Sequence, residues 1–190
     1  VPTFICASEV NDQMRLNSDG SDKVYPQNYG FNFGTWLVFD PITKRGGDGM
    51  FFVNSRLSPR HVKDGMSKTL MASEVKAFTA YIRNTSDPGP TPPVANDVEF
   101  FSGYSGELKL GELKNKNTGH TEWPDGRVHH SGITTVYPPN TRIPYHFGGR
   151  EYDIDVNSVK EGGSTTQATR AAITARSYHI GGVNSVRMDG

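Results

Sequence analysis

Four residues in the middle third of the chain could together hold a catalytic metal ion. His120 and Glu122 lie two residues apart, and His129 and His130 follow a few residues later. Imidazole nitrogens and carboxylate oxygens are good zinc ligands, and a His-x-Glu pair also begins the zinc deaminase pattern. That pattern requires two cysteines in a later segment, and the chain has one cysteine in all. The remaining enzymatic alternative is a metal-dependent hydrolase that uses His120, Glu122 and His129.

Other catalytic motifs are missing, which favours a structural interpretation of the histidines. The sequence has no His-Glu-x-x-His segment, no Gly-x-Ser-x-Gly segment and no phosphate-binding loop. We therefore expect the histidines to be strand or loop residues that bond to the backbone or to water. The sequence predicts that no three of the six histidines converge with a carboxylate, and that the protein is not an enzyme.

A second pattern could hold calcium. Asp153, Asp155 and Asn157 alternate along the sequence, so an extended strand places them on one face. Hard oxygen ligands suit calcium, and the spacing is similar to the start of an EF-hand loop. Ser158 and Ser164 stand where that loop has its glycine and its terminal glutamate, so the segment is not an EF-hand. Calcium is a possible cofactor here, and an exposed polar strand edge is the alternative.

Cys6 is the single cysteine. It cannot form an intramolecular disulfide or anchor a cysteine-rich zinc site. A buried small hydrophobic side chain is the expected state. The alternatives are an intermolecular disulfide in an oxidising compartment and a nucleophilic cysteine beside a histidine, for which no local motif exists.

The C-terminal segment is predicted to be a hairpin. Residues 171–178 are strand-like, a Gly-Gly pair supplies the positive φ values of a two-residue turn, and residues 183–188 alternate as a second strand. We expect the ring of His179 to hydrogen-bond to the backbone where the hairpin begins, and the carboxylate of Asp189 to accept bonds from turn amides. The residues assigned a structural role here are His179, Gly181, Gly182, Asp189 and Gly190.

This segment resembles the His-x9-Asp-Gly motif of a bacterial family, the domain of unknown function 1559 proteins, which carry a prepilin-type leader. Further segments are similar to blocks of that family and occur in order along nearly the whole chain. They are Pro2–Glu9, Tyr29–Thr35, Lys63–Leu70 with Glu74, His120–Trp123, Thr134–Thr141 and Ala175–His179. Glu9 stands where the family has an aspartate. The resemblance implies a pilin-like or pseudopilin-like surface protein and no established reaction.

What the resemblance implies is a structural role in an extracellular filament or in the pseudopilus of type II secretion. The location would be extracellular or at the cell surface, with the periplasm as the alternative, and the partners would be copies of this chain or other pilin-like subunits. Some pseudopilins hold calcium in a loop of the head. The family usually begins with a leader and an apolar helix, and a strand follows its Asp-Gly turn. Val1 and Gly190 are accordingly interpreted as ends of a truncated or processed chain, in which residues 183–188 lack one neighbouring strand.

Composition limits the fold and the partners. A length of 190 residues fits one globular head domain over residues 1–190. Lys+Arg and Asp+Glu both number 20, so no basic surface indicates nucleic acid, and no run of 18 apolar residues predicts a membrane span. Abundant turn residues and the lack of long amphipathic patterns predict an α+β fold dominated by antiparallel sheet, with short helices and long loops.

Local patterns predict the elements. We expect strands within 25–39, 49–54 and 69–82, and a short helix that begins at Ser58 and ends at Gly65. Glu74 lies in the third strand, where an exposed face is usual and a buried position needs a partner such as arginine.

The two tryptophans separate two functional classes. Trp36 is expected in the core and Trp123 packed on the sheet. A calcium-stabilised binding module for surface polysaccharide or protein, the alternative function, needs both side chains exposed.

Overall fold

The computed structural model describes residues 4–111 and 118–190. Strands dominate these ranges, with one four-residue α-helix and two short 3₁₀ turns at Pro59–His61 and Met66–Lys68. The elements are β1 (Arg15–Leu16), β2 (Asp22–Val24), β3 (Tyr29–Asn32), β4 (Leu37–Phe39), β5 (Leu70–Glu74), β6 (Ala80–Arg83), β7 (Glu107–Lys109), α1 (Val128–Ser131), β8 (Gly132–Ile133), β9 (Pro144–Phe147), β10 (Arg150–Asn157), β11 (Thr169–Ala172) and β12 (Ser185–Arg187). The predicted β-rich class is confirmed.

The strands form two principal sheets and one small ribbon. The larger sheet has the order β4-β11-β10-β6-β7, with β9 also paired to β10, and the second has the order β12-β5-β3-β8. Pairing is antiparallel except between β10 and β6 and between β3 and β8. The third sheet contains β1 and β2 alone. Most strand pairs are therefore antiparallel, as expected from the sequence, although each of the two principal sheets also contains one parallel pair.

The main core lies on one face of the larger sheet. Ile82 of β6 and Ile154 and Val156 of β10 are buried there together with Trp36, as predicted, and Phe101. Trp36 is 4% exposed and donates its indole N–H to the carbonyl of Gly89 at 3.0 Å. Each large apolar side chain that is buried contributes about 1.5–3 kcal/mol to stability. The buried side chains of β6 and β10 therefore hold these two neighbouring strands in the main core.

The predicted strand at 69–82 is wrong as a single element. The chain leaves the second sheet after β5, turns through Phe78 at a φ of 57°, and enters the larger sheet as β6. A bulky residue at positive φ interrupts an extended strand. Periodicity cannot reveal this break, because apolar residues continue on both sides of it. The consequence is that Glu74 lies at the end of a strand, next to the crossing between the sheets.

The predicted strand at 49–54 is a loop. Gly49 packs so closely on Phe33 that a Cβ atom there would lie 2.2 Å from the Phe33 carbonyl carbon. Asp48 holds this loop by accepting the backbone N–H of Thr35 at 2.7 Å. The short helix predicted from Ser58 begins there, with Ser58 at the N-cap, but it is a 3₁₀ turn that ends at His61, so the predicted end at Gly65 is wrong. Among the described residues, no helix has the length and hydropathy needed to span a bilayer.

The C-terminal hairpin prediction is also wrong. β11 belongs to the larger sheet, and β12 lies at the edge of the second sheet, paired with β5. Residues 173–184 therefore cross between the sheets instead of folding back on β11. Gly181 has the positive φ expected of it, at 88°, but Gly182, for which a positive φ was also expected, does not. This crossing carries His179 to the end of β5.

Candidate functional site

Three segments that are distant in sequence meet at the end of β5. The Sγ atom of Cys6 lies 3.4 Å from Glu74 Oε1 and 3.4 Å from His179 Nε2. The distance between Glu74 Oε1 and His179 Nε2 is 3.0 Å. Each residue belongs to a segment that resembles the family above, yet no local pattern groups them. We refer to these three residues as the Glu74 site.

Glu74 is fixed by the neighbouring β12 segment. Its Oε2 accepts the backbone N–H of Asn184 at 2.7 Å, and its Oε1 accepts the Asn184 side-chain amide at 3.1 Å. The backbone N–H of Glu74 in turn donates to the Asn184 carbonyl at 3.0 Å. The exposed position expected for Glu74 is wrong, because its side chain is 3% exposed. Within the described ranges the partners of its side chain are amides, a thiol and an imidazole, with no arginine among them.

A second buried carboxylate places Cys6. Glu9 Oε2 accepts the Asn28 side-chain amide at 2.5 Å and the backbone N–H of Ala77 at 3.0 Å. Asn28 uses its Oδ1 to accept the backbone N–H of Cys6 at 3.0 Å. The N-terminal segment is thereby attached to the residues just after β5. The expected buried, hydrophobic state of Cys6 is wrong, because the residue is half-buried and its thiol faces polar groups instead of the apolar core.

His179 is held by a turn within the crossing segment. Its backbone N–H donates to Ser177 Oγ at 3.1 Å, and this hydroxyl donates to the Gly182 carbonyl at 2.6 Å. The predicted bond from the His179 ring to the backbone is wrong, since Nε2 faces Glu74 and Cys6. The side chain remains 36% exposed. Asp189 and Gly190 lie in the turn after β12, which the Gly190 N–H closes on the Arg187 carbonyl at 3.2 Å.

Hydrogen bonding keeps the Glu74 carboxylate charged. Burial by itself raises the pKa of Glu74, but the bonds from Asn184 and Cys6 and the nearby His179 outweigh burial and lower this pKa. Burial and the charges of Cys6 and Glu74 raise the pKa of Tyr29. Tyr29 lies opposite Glu74 in the antiparallel pairing of β3 with β5. Within the described ranges, no lysine or arginine lies within salt-bridge distance of Glu74. The Glu74 site therefore holds a buried anion that no fixed cation within the described ranges balances.

The predicted calcium ligands have a different arrangement. Arg176 contacts Asp153 through Nη1 and binds Asp155 Oδ1 through Nη2 at 3.1 Å. Asn157 instead pairs its side-chain amide with His129 Nδ1 at 2.9 Å. The alternative of an exposed strand edge is wrong, because Asp155 is 2% exposed. Calcium stays a prediction, and the guanidinium that neutralises both carboxylates lowers the affinity expected of it.

The three middle histidines converge in the interior, contrary to the prediction. His120, His129 and His130 are each 1% exposed, and His120 Nδ1 lies 3.0 Å from the His130 carbonyl. The rings of His129 and His130 are 4.6 Å apart, and His120 Nε2 is 3.9 Å from an oxygen of Asp155. The short helix α1 turns two adjacent histidines inward, which a strand or an exposed loop would not do. We refer to these three residues as the histidine cluster.

Burial keeps the histidine cluster neutral. It lowers the pKa of His120 to about 3, that of His130 to about 4 and that of His129 well below its usual value. Each ring has one buried nitrogen without a hydrogen-bond partner among the described residues. Glu122, the proposed carboxylate ligand, forms ion pairs with Arg15 and with Lys23. The ligand set of the hydrolase alternative is therefore not assembled.

A surface cavity of about 790 Å³ lies beside Glu122 and was not predicted from the sequence. Its apolar wall includes Phe31 and Phe51, whose rings are 4.8 Å apart, and its polar rim includes Arg127. Trp123, next to Glu122 in sequence, is 60% exposed, so its predicted packing on the sheet is wrong. Aromatic residues scattered over the sequence give no sign of a shared cavity.

One sequence family matches the whole chain. The family described as "Protein of unknown function (DUF1559)" matches residues 1–190. No curated protein and no solved structure matches the chain. The description names no activity, so functional inference depends on the geometry of the Glu74 site and of the histidine cluster.

Proposed function

The chain belongs to the DUF1559 family, and we propose that it is a structural, non-enzymatic, pilin-like domain of a surface or secreted protein. The proposal rests on this membership and on the contacts of the motif residue His179, which are made to other residues of the same chain. The role of the domain is to form part of an extracellular filament or of a secretion pseudopilus. The partners are further copies of the chain or other pilin-like subunits.

The observation that supports this role is how the two buried carboxylates connect the chain. Glu9 attaches the N-terminal segment to the residues after β5, and Glu74 attaches β5 to Asn184 before β12. Hydrogen bonds to a charged acceptor contribute about 1.5–3 kcal/mol each, more than neutral ones. In a filament, a pulling force on the N-terminal segment of a subunit has to be transmitted to the sheet. Strong hydrogen bonds between this segment and the sheet are therefore needed.

The geometry of the Glu74 site also favours a non-catalytic role. In a nucleophile–histidine–acid relay, one ring nitrogen faces the nucleophile and the other faces the acid. Here the same nitrogen, His179 Nε2, faces both Cys6 and Glu74. The imidazole therefore cannot take a proton from the thiol while Glu74 orients its other nitrogen.

Immunogold electron microscopy tests the filament role. Filaments sheared from cells that express the protein are labelled with an antibody against this chain. We expect gold particles along the filaments or at the cell surface. Label confined to the cell interior, with no label on any filament, would contradict the proposal.

The surface cavity supports a binding module as the second candidate function. It combines a phenylalanine wall with a charged rim, and the exposed Trp123 lies next to the rim residues Glu122 and Pro124. Trp36 is buried and does not meet the exposure that this alternative requires. Quenching of tryptophan emission by surface polysaccharide tests it: quenching is expected in the parent chain and in Trp36→Phe, but not in Trp123→Phe. Equal quenching in both variants would exclude Trp123 as the contact.

A further inference from the structure

We infer that Cys6, Glu74 and His179 bind a zinc-like divalent metal ion. The inference does not rest on the pilin-like role, because it follows from the three ligand atoms alone. A thiolate, a carboxylate and an imidazole together are a donor set that suits zinc, with a fourth position left for water.

The spacing of the ligand atoms fits this coordination. Tetrahedral zinc with ordinary bond lengths places neighbouring S, N and O ligands roughly 3.4–3.6 Å apart. The three distances here are 3.4, 3.4 and 3.0 Å. An ion about 2.3 Å from the sulfur and about 2.05 Å from the nitrogen and the oxygen would stand about 1 Å off their plane, which is the pyramidal arrangement of a tetrahedral site. Small side-chain movements therefore suffice to complete it.

Hydrogen bonding alone accounts poorly for the same contacts. Glu74 Oε1 faces three groups, the thiol of Cys6, the ring nitrogen of His179 and the amide of Asn184. A carboxylate oxygen offers two lone pairs, so three donors compete for two positions. A metal ion that replaces the thiol and imidazole protons removes this competition and leaves the Asn184 bond intact.

Charge balance separates Glu74 from Glu122 and Asp155, although the buried Glu9 and Glu161 share with Glu74 the lack of a fixed cationic partner among the described residues. Glu122 pairs with Arg15, and Asp155 pairs with Arg176. Glu74 has no such partner within the described ranges, and a buried carboxylate without a cation is costly. A divalent ion bound with the Cys6 thiolate provides the missing positive charge.

The second group of possible ligands lacks this property. Ligand atoms of Asp125, His129 and His130 also lie within 4.8 Å of one another. Asp125 is already bonded to Arg127 at 2.8 Å, and positive charge from Arg83 and Arg127 acts on His129. Fixed cations repel a metal ion, which leaves the Glu74 site as the better ligand set.

Cobalt substitution gives the direct test. Because Cys6 is the only cysteine, a thiolate–cobalt charge-transfer band in the reduced protein reports this residue without any mutation. We expect the band to appear on addition of Co²⁺ and to be displaced by stoichiometric Zn²⁺. Zinc should also slow alkylation of the thiol. Absence of the band in folded, reduced protein would overturn the inference.

Matched variants locate the other ligands. We expect zinc affinity, measured by calorimetry, to fall at least about tenfold in Cys6→Ser and in His179→Gln. His146→Gln removes an exposed imidazole, 74% accessible, and should leave affinity unchanged. Unchanged affinity in both ligand variants, with circular dichroism showing native folds, would place the bound zinc elsewhere. Affinity should also fall in acid, because the ligands bind metal in their deprotonated forms.

Discussion

The Glu74 site and the histidine cluster combine the same residue types in opposite settings. In the Glu74 site a charged carboxylate faces a partly exposed imidazole and a thiol, and no lysine or arginine in the described part of the chain pairs with it. In the histidine cluster burial keeps three enclosed imidazoles neutral, and negative charge from Glu122 and Asp125 as well as positive charge from Arg15 and Arg83 acts on His130. Burial suppresses charge in the cluster, while directed hydrogen bonds preserve charge in the Glu74 site.

The comparison shows that residue type alone does not identify a reactive centre. The sequence directs attention to the cluster, where several histidines lie close together, yet the fold encloses them. The Glu74 site has one histidine and shows no spacing pattern, yet the fold leaves the His179 side chain of this site partly exposed to solvent. Accessibility and charge balance decide which group can exchange a proton or a metal ion.

Acid should produce the largest effect, and it should act through the histidine cluster. An unfolded imidazole titrates near 6.5, while the pKa of His130 in the folded chain is about 4 and that of His120 about 3. Between these values only the unfolded state binds the protons. The free energy of unfolding therefore falls as pH falls, by about 1.4 kcal/mol per pH unit for each histidine. Urea unfolding at a series of pH values from neutral to acid measures the slope.

Buried acids offset part of this loss. Burial raises the pKa of Asp155 to about 6 and also raises that of Glu161, so the native state takes up their protons first as pH falls. Because three histidines lower the free energy of unfolding as pH falls and two acids raise it, we still expect a net fall in stability. We expect His130→Gln to reduce the slope by about one proton, and the exposed His146→Gln to leave it unchanged. Equal slopes in both variants would mean that the cluster does not control acid stability.

Removal of the Glu74 carboxylate should have the next largest effect. Glu74→Ala leaves the backbone N–H and the side-chain amide of Asn184 without their acceptor. We expect a loss of about 3 kcal/mol in the free energy of unfolding, measured with a chelator present. Glu151→Ala breaks an exposed pair with Arg142 and should cost less than about 1 kcal/mol. Similar losses in the two variants would show that Glu74 does not attach β12.

His179 should contribute less than Glu74 to the same site. In metal-free protein, His179→Ala removes one hydrogen bond to Glu74 and should lower stability by about 1–2 kcal/mol. The fall in melting temperature, compared with that of His146→Ala, measures it. If the variant keeps full stability but loses zinc binding, the contact between His179 and Glu74 contributes to metal binding and not to the stability of the metal-free protein.

Calcium should have the smallest effect. Arg176 already neutralises Asp153 and Asp155, so calcium should raise the melting temperature far less than an equal concentration of zinc. Thermal scans with chelator, with calcium and with zinc compare the two sites directly. A larger rise with calcium, lost in Asp153→Asn, would instead support the calcium site at β10.

The sequence by itself determined the β-rich class, the buried state of Trp36 and the turn at Gly181. These features depend on local propensity and on the hydrophobic pattern, which neighbouring residues carry. Resemblance of ordered segments also identified the family. The same local patterns predicted β5 and β6 as one strand and residues 171–188 as one hairpin. Both predictions were wrong because local patterns cannot show where a chain leaves one sheet for another.

Only the tertiary structure decided the partners of Glu74. Cys6 and Glu74 are 68 residues apart, Glu74 and His179 are 105 apart, and Cys6 and His179 are 173 apart. Periodicity extends over a few residues, whereas these contacts depend on how two sheets and a crossing segment pack. The same packing places Arg176 beside Asp155, whereas none of the described lysines and arginines lies within salt-bridge distance of Glu74. That difference in charge balance separates a structural ion pair from a candidate metal site.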